Sequence, residues 1–196
     1  GYSLSTDVGF KIQPVDISVE IDMTVTGSHA YSYINHVLST SNTNTYWASV
    51  QLQKNVQKKY YFSVVAAPNY TVNEFSLSGQ RNNNAAGFYG ELTADWHLPC
   101  KFEVASAMHY SYTAATQTLT AQNRAIWDAS LSKAFFKNEN LRLSLAANDL
   151  LNQNINFTRN VTANAITQNS FNSIRRYFML SLTWDFTRFG TQPAKK

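Results

Sequence analysis

"ISVEIDMTVTGSHAY", residues 17–31, decides the fold. Ile17, Val19, Ile21, Met23 and Val25 alternate with Ser18, Glu20, Asp22, Thr24 and Thr26. Side chains of a β-strand point alternately to opposite faces, whereas a helix repeats its apolar positions every three to four residues. An unbroken period of two therefore predicts a strand with one greasy face and one wet face.

The same pattern recurs on both sides of that stretch. Leu4, Val8, Phe10 and Ile12 precede it. Tyr46, Ala48, Val50 and Leu52 follow, then Phe62, Val64 and Ala66 in the less regular 60–73. Next come Phe88, Leu92, Ala94, Trp96 and Leu98, and Phe102, Val104, Met108 and Tyr110. Trp127, Ala129 and Leu131, then Leu141, Leu143 and Leu145, then Phe178, Leu180, Leu182, Trp184 and Phe186 complete the set. The reading is about nine strands of about ten or more residues each. Strands of soluble domains average about five to six residues, while a tilted strand crossing a bilayer needs about 9–11. The predicted fold is all-β, an antiparallel up-and-down transmembrane barrel portion.

Connections alternate in length. Residues 14–16, 55–59, 99–100 and 137–140 are short, whereas 34–44, 76–86, 113–123 and 152–173 are long and rich in Asn, Thr, Ser and Gln. Short turns at one rim and long loops at the other characterise outer-membrane barrels. The expected placement is long loops outside the cell, with short turns and C-terminus in the periplasm.

Composition agrees. Aromatic residues make up 14% of the 196 residues and charged residues only 14%, against about 25% charged in a typical soluble domain. No stretch approaches the roughly 18 apolar residues of a membrane-spanning helix, which a barrel does not need. The net charge of +4 raises the question of nucleic acid, but the lysines answer it. Lys11, Lys54, Lys58, Lys59, Lys101, Lys133 and Lys137 cluster at short turns, with Lys195 and Lys196 in the tail. Aromatic residues gather toward both rims. Tyr31, Tyr33, Tyr46, Trp47, Tyr70, Tyr110, Tyr112 and Tyr177 stand toward the long loops. Phe10, Tyr60, Tyr61, Trp96, Phe102, Phe135, Trp184 and Phe186 stand toward the short turns. Amphipathic rings favour the two membrane interfaces. The lone Cys100 supports no internal disulfide and reads as a turn residue.

Nine strands is an odd number, and single-chain bacterial barrels are normally even. An open greasy sheet in lipid would leave unpaired edges. The expectation is that a longer protein supplies the missing strands, and no signal peptide opens the sequence. Residues 1–190 are read as barrel strands and 191–196 as a polar tail.

The stretch from Asp149 to Asn154, the Arg159–Thr162 segment and the Arg176–Phe186 strand resemble the C-terminal end of Bacteroidota TonB-dependent receptor-like barrels of the SusC/outer membrane beta-barrel type. The close resemblance spans about 40 residues, and the earlier strands agree in pattern. It implies a barrel of about 22 strands with a plugged lumen. An upstream plug, the TonB system, surface lipoproteins, the barrel-assembly machinery and outer-membrane lipid are its implied partners. One departure is that ten residues follow Phe186, where many such barrels end on the aromatic residue.

Lumen-facing candidates are the polar-face residues Glu20, Asp22, Glu91, Asp95, His97, Glu103, His109, Asp128 and Arg142, with Arg175 beyond them. They could line a path for a ligand or contact a plug; equally, they could only wet the wall. Neither a nucleophile elbow nor a metal or phosphate motif is present, so no enzyme, cofactor or metal is expected. Asn148 or Asp149 is read as a side-chain cap of the next turn, against which Leu150 and Leu151 pack. Phe178, Leu180, Leu182, Trp184 and Phe186 are read as both closure seam and insertion signal. Three functions stay open: a receptor wall for importing a large or scarce ligand, a non-transporting barrel that binds lipoproteins, and a soluble β-protein that binds a small ligand.

Overall fold

The computed structural model describes residues 1–77, 84–116, 120–154, 156–161, 166–171 and 174–185. The strands are β1 (Tyr2–Ile12), β2 (Ile17–Ile34), β3 (Val37–Val56), β4 (Tyr60–Phe75), β5 (Ala85–Leu98), β6 (Phe102–Thr113), β7 (Gln122–Phe135), β8 (Leu141–Asn148), β9 (Asn156–Val161), β10 (Ile166–Phe171) and β11 (Tyr177–Trp184). Strands β1 to β8 and then β11 form one nine-stranded antiparallel sheet, while β9 and β10 pair separately within the last long connection.

Ladder register places every alternating apolar row on one face. Phe10, Val19, Leu52, Val64, Leu92, Met108 and Trp127 stand side by side across seven strands. Leu131, Leu145 and Leu180 continue the same face. No second layer covers it among the described residues: Leu92 is 38% exposed, Leu131 44% and Leu145 49%. Among the described residues the buried apolar side chains are only Val19, Ala67, Ala94 and Ala134. A soluble sheet packs its greasy face against another layer; this one leaves it open.

The rungs and the turns disagree in a regular way that measures strand tilt. In the row just named, Phe10 stands two residues before the end of β1, Leu52 four before the end of β3, Leu92 six before the end of β5 and Trp127 eight before the end of β7. Each hairpin thus descends about two residues, ~6.8 Å, per two strands, ~9.6 Å. That slope is about 35°, within the tilt of transmembrane barrel strands. The apolar rows follow the turns and not the rungs. Ile17–Val25, Tyr46–Val56, Phe88–Leu98 and Ala125–Phe135 each abut a short turn and span nine to eleven residues, with Lys54 and Lys133 interrupting two of them two residues from the turn. A greasy band bounded by a plane oblique to the strands has that form, and its height matches a bilayer core.

Several expectations need correction. Residues 34–44 are not a loop. β2 and β3 run for 18 and 20 residues and meet at a two-residue turn, Asn35–His36, whose φ values are 50° and 67°. Such a left-handed pair matches the twist of a hairpin, and Asn tolerates it. Above the greasy band neither face of the hairpin meets lipid, and the inner face is lined by small polar side chains such as the buried Ser39, so period-two alternation vanishes and the Ser/Thr/Asn sequence imitates a loop. At the other extreme, β8 and β11 have only 8 residues each, and Phe186 lies outside the described residues. Trp47, Tyr61 and Tyr177 carry polar-face parity, opposite Thr24, Asp95 and Asn148. Tyr31 and Tyr33 stand above the band. The ring girdle near the long connections is instead Tyr2, Tyr46, Tyr70, Phe88, Tyr110 and Tyr112. In it, a Cβ at Gly27 would collide with the Tyr2 ring, and that ring is tethered by Tyr2 Oη donating to Asn44 Oδ1 at 3.0 Å.

Candidate functional site: the polar face of the sheet

All nine sequence-predicted lumen candidates fall on the polar face. Glu20 and Asp22 lie opposite Gln51 and Ser49, and Glu91 and His97 lie opposite His109 and Glu103. Asp95 and Asp128 pair with Ala105 and Ala107, and Arg142 with Ala134. This face is the more shielded one in mid-sheet, where Ser63, Ala67, Ser132 and Ala134 are buried.

Five of the candidates form two separate groups on β5, β6 and β8, Glu91 with His109, and His97 and Glu103 with Arg142. Toward the long connections, Tyr89 Oη donates to Glu91 Oε2 at 2.7 Å and lies 3.3 Å from His109 Nδ1. Thr93 Oγ1 donates to Glu91 Oε1 at 3.3 Å, and His109 Nδ1 is 3.6 Å from the same carboxylate. Toward the short turns, His97 and Glu103 are register partners, and Arg142 Nη1 donates to Glu103 Oε2 at 2.8 Å. Arg142 reaches Glu103 across β7, whose buried Ser132 and Ala134 are short enough to permit it. Six residues, ~20 Å, separate the groups along β5. The candidates therefore pair locally along a wall and do not converge on one centre. Among the described residues, no three His, Cys, Asp or Glu side chains are grouped to hold a metal ion.

Glu20 lines a groove of about 380 Å³ with Lys11, Ser18, Gln51 and Gln53, floored where Gly9 has no side chain. Asp22 accepts from Ser49 Oγ at 3.0 Å. Asp128 has a structural partner, since its Oδ1 accepts from the Asp149 backbone N–H at 2.7 Å. Arg175 is exposed beyond the strands.

Sequence reasoning anticipated a cap at Asn148 or Asp149 but not that the turn at 149–154 completes the β7 ladder. The β7–β8 ladder stops at Ala129–Ala147, leaving the upper rungs of β7 open. The turn supplies them: Leu150 N–H donates to Trp127 O at 2.7 Å, and Gln153 Oε1 accepts from Ala125 N–H at 3.0 Å. Asp149 is 3% exposed with φ 51°, and its two carboxylate oxygens accept from Gln153 and Asn154 N–H, both at 2.9 Å. Of the two capping candidates, Asp149 is the one that caps. The greasy face carries its own device. Trp127 Nε1 donates to Ser106 Oγ at 2.9 Å, which satisfies an indole N–H where lipid offers no acceptor.

Charge concentrates at the short-turn rim. Lys101 Nζ donates to Phe136 O at 2.7 Å and pairs with Glu139 at 3.2 Å, clasping two neighbouring turns. Lys133 Nζ lies 4.5 Å from the Phe102 ring centroid on the greasy face. Lys11 pairs with Asp16 at 2.5 Å. The hydrogen bond and charge of Lys11 hold the Asp16 carboxyl below its ordinary value of 3.8, aided by Lys54 and opposed by slight desolvation.

A single-layer sheet tilted near 35°, greasy on one side, polar on the other and ringed with aromatic residues at both rims, defines the wall of a transmembrane β-barrel. The chain belongs to the outer membrane protein beta-barrel family, whose model matches residues 2–184. No curated protein and no solved structure matches the chain.

Proposed function

We propose that this chain is the C-terminal wall of a larger TonB-dependent receptor-like barrel that imports a ligand too large or too scarce for passive pores. The polar face lines the lumen, and the long connections face outward. The role is one of enclosure and recognition, without catalysis. The observation that carries the reading is strand direction. β1 and β11 both run from the long-connection rim to the short-turn rim, so the two edges of the sheet are parallel. An up-and-down barrel closes with antiparallel neighbours, so closure needs an odd number of further strands between them. Exposure at both edges agrees, with Leu4 and Leu180 each 71% exposed against 38% for Leu92 in mid-sheet. A wider barrel has the lumen that a plug and a bulky ligand require.

The test is uptake of a labelled oligosaccharide and peptide pool by cells expressing the full-length protein, with and without a protonophore. Import predicts accumulation that stops when the proton gradient collapses and when Asp95 and Glu91 are both replaced by bulky Trp. A structural role predicts unchanged uptake in cells lacking the protein, together with loss of a lipoprotein complex in pull-downs.

A further inference from the structure

The β2–β3 hairpin extends well beyond the greasy band. From Val25, the last apolar residue of β2 in the band, Tyr31 lies six residues on, or roughly 20 Å along the strand. At the tilt of about 35° that is ~16 Å above the band. The headgroup layer of a phospholipid leaflet is only about 5–8 Å thick. Tyr31 and Tyr33 therefore stand above phospholipid headgroups, on the parity that faces lipid lower down.

The chemistry there is specific. From Gly27 to Asn44 the sequence has no Lys, Arg, Asp or Glu. His29, Tyr31 and Tyr33 form a row on the outward face, spaced ~6.8 Å apart. Tyr31 and Tyr33 are 68% and 77% exposed. His29 meets Tyr31 edge-on, centroids 4.5 Å apart at 82°, and its Nδ1 bonds Asn42 Oδ1 across the hairpin. The row is thus braced at its base while the two tyrosine rings stay open. Asn42 and Thr40 stand opposite His29 and Tyr31, and Leu38 opposite Tyr33; exposed ring faces beside these amide, hydroxyl and aliphatic groups suit the hydroxyls and C–H faces of a sugar, and the lack of charge disfavours phosphate or an acidic peptide.

We infer that this outward strip docks the neutral saccharide headgroup of a glycolipid in the surrounding leaflet. The inference rests on the outward orientation of the long connections. Continuity selects the membrane-borne sugar over a free one. The strip continues the lipid-facing rows, whereas an imported ligand meets the opposite, lumen face. Only a lipid with a large polar head reaches this height.

The test places the full-length protein in phospholipid nanodiscs doped with a glycolipid carrying an uncharged core oligosaccharide, or with the same lipid anchor lacking the sugars, and counts retained glycolipid by native mass spectrometry. The wild type should prefer the core-bearing form by on the order of tenfold, equivalent to ~1.4 kcal/mol. Tyr31→Ser with Tyr33→Ser should bring the preference near parity and leave retention of the bare anchor and of phospholipid unchanged. Tyr31→Phe with Tyr33→Phe should keep most of it, because the ring faces remain. A double Ser variant that retains the wild-type preference overturns the inference, as does loss of self-association or of a protein partner without change in glycolipid. Entry into discs without any core-dependent preference overturns it alone. Failure to enter lipid overturns the membrane placement as well.

Discussion

Asp149 shows how much one side chain can hold. It is buried, sits at positive φ, and accepts two backbone N–H groups through its carboxylate. Asp149→Ala would leave both donors without that acceptor and should cost about 1–2 kcal/mol, read as a lower midpoint of heat-dependent gel mobility in detergent. Ser106→Ala should cost about 1 kcal/mol by the same measurement, because the Trp127 indole N–H then faces lipid unpaired. Asp16 tests electrostatics in water. Its carboxyl is depressed in the folded state, so the Lys11 pair contributes stability that is complete above the ordinary carboxyl value of 3.8 and lost as pH falls through the lower folded value. Asp16→Asn should therefore differ from wild type at pH 5–7 and converge with it in strong acid. Of these three residues only Asp149 carried a readable signal in the sequence, as an Asx residue before a Leu–Leu pair. The acceptors of the Trp127 indole and of the β7 rungs depend on register between strands, which one sequence does not display.

At the scale of elements, legibility followed the solvent. Where one face meets lipid, alternation marked the strands: Ile17 to Val25 and Phe88 to Leu98 read correctly and lie on the expected face. Above the lipid, the segment 34–44 has no apolar contrast and reads as loop, although its backbone pairs with the neighbouring strand everywhere but at the Asn35–His36 turn. The interruption at Pro68 shows the converse. The β3–β4 register is the same on both sides of it, Trp47–Asn69 and Val50–Ala66, but the rungs between are missing because proline has no N–H to give. If the hairpin is an accessory above the bilayer, then replacing residues 28–43 with a two-residue Asn–Gly turn should leave membrane insertion and thermal midpoint within about 1 kcal/mol of wild type. It should also abolish the preference for core-bearing glycolipid.

For the whole molecule, the account rests on which way the faces point. The clustered lumen candidates were legible as a polar face but not as two pairs, because Glu91–His109 and His97–Glu103 become neighbours only through the β5–β6 register. The tilt was not legible either, since it emerges from comparing rungs with turns across the sheet. Both fit the proposed geometry, in which Leu92 at mid-band is to face lipid and Thr93 the lumen. Leu92→Arg should cost about 2–4 kcal/mol, and Thr93→Arg far less. The most direct measurement is a cysteine scan of residues 91–96 in a Cys100→Ser background of the full-length protein in lipid vesicles, with a fluorescent label at each position. Labels at 92, 94 and 96 should be quenched by lipid-borne quencher, and those at 91, 93 and 95 by aqueous quencher. The reverse pattern, or uniform aqueous quenching, would contradict the account.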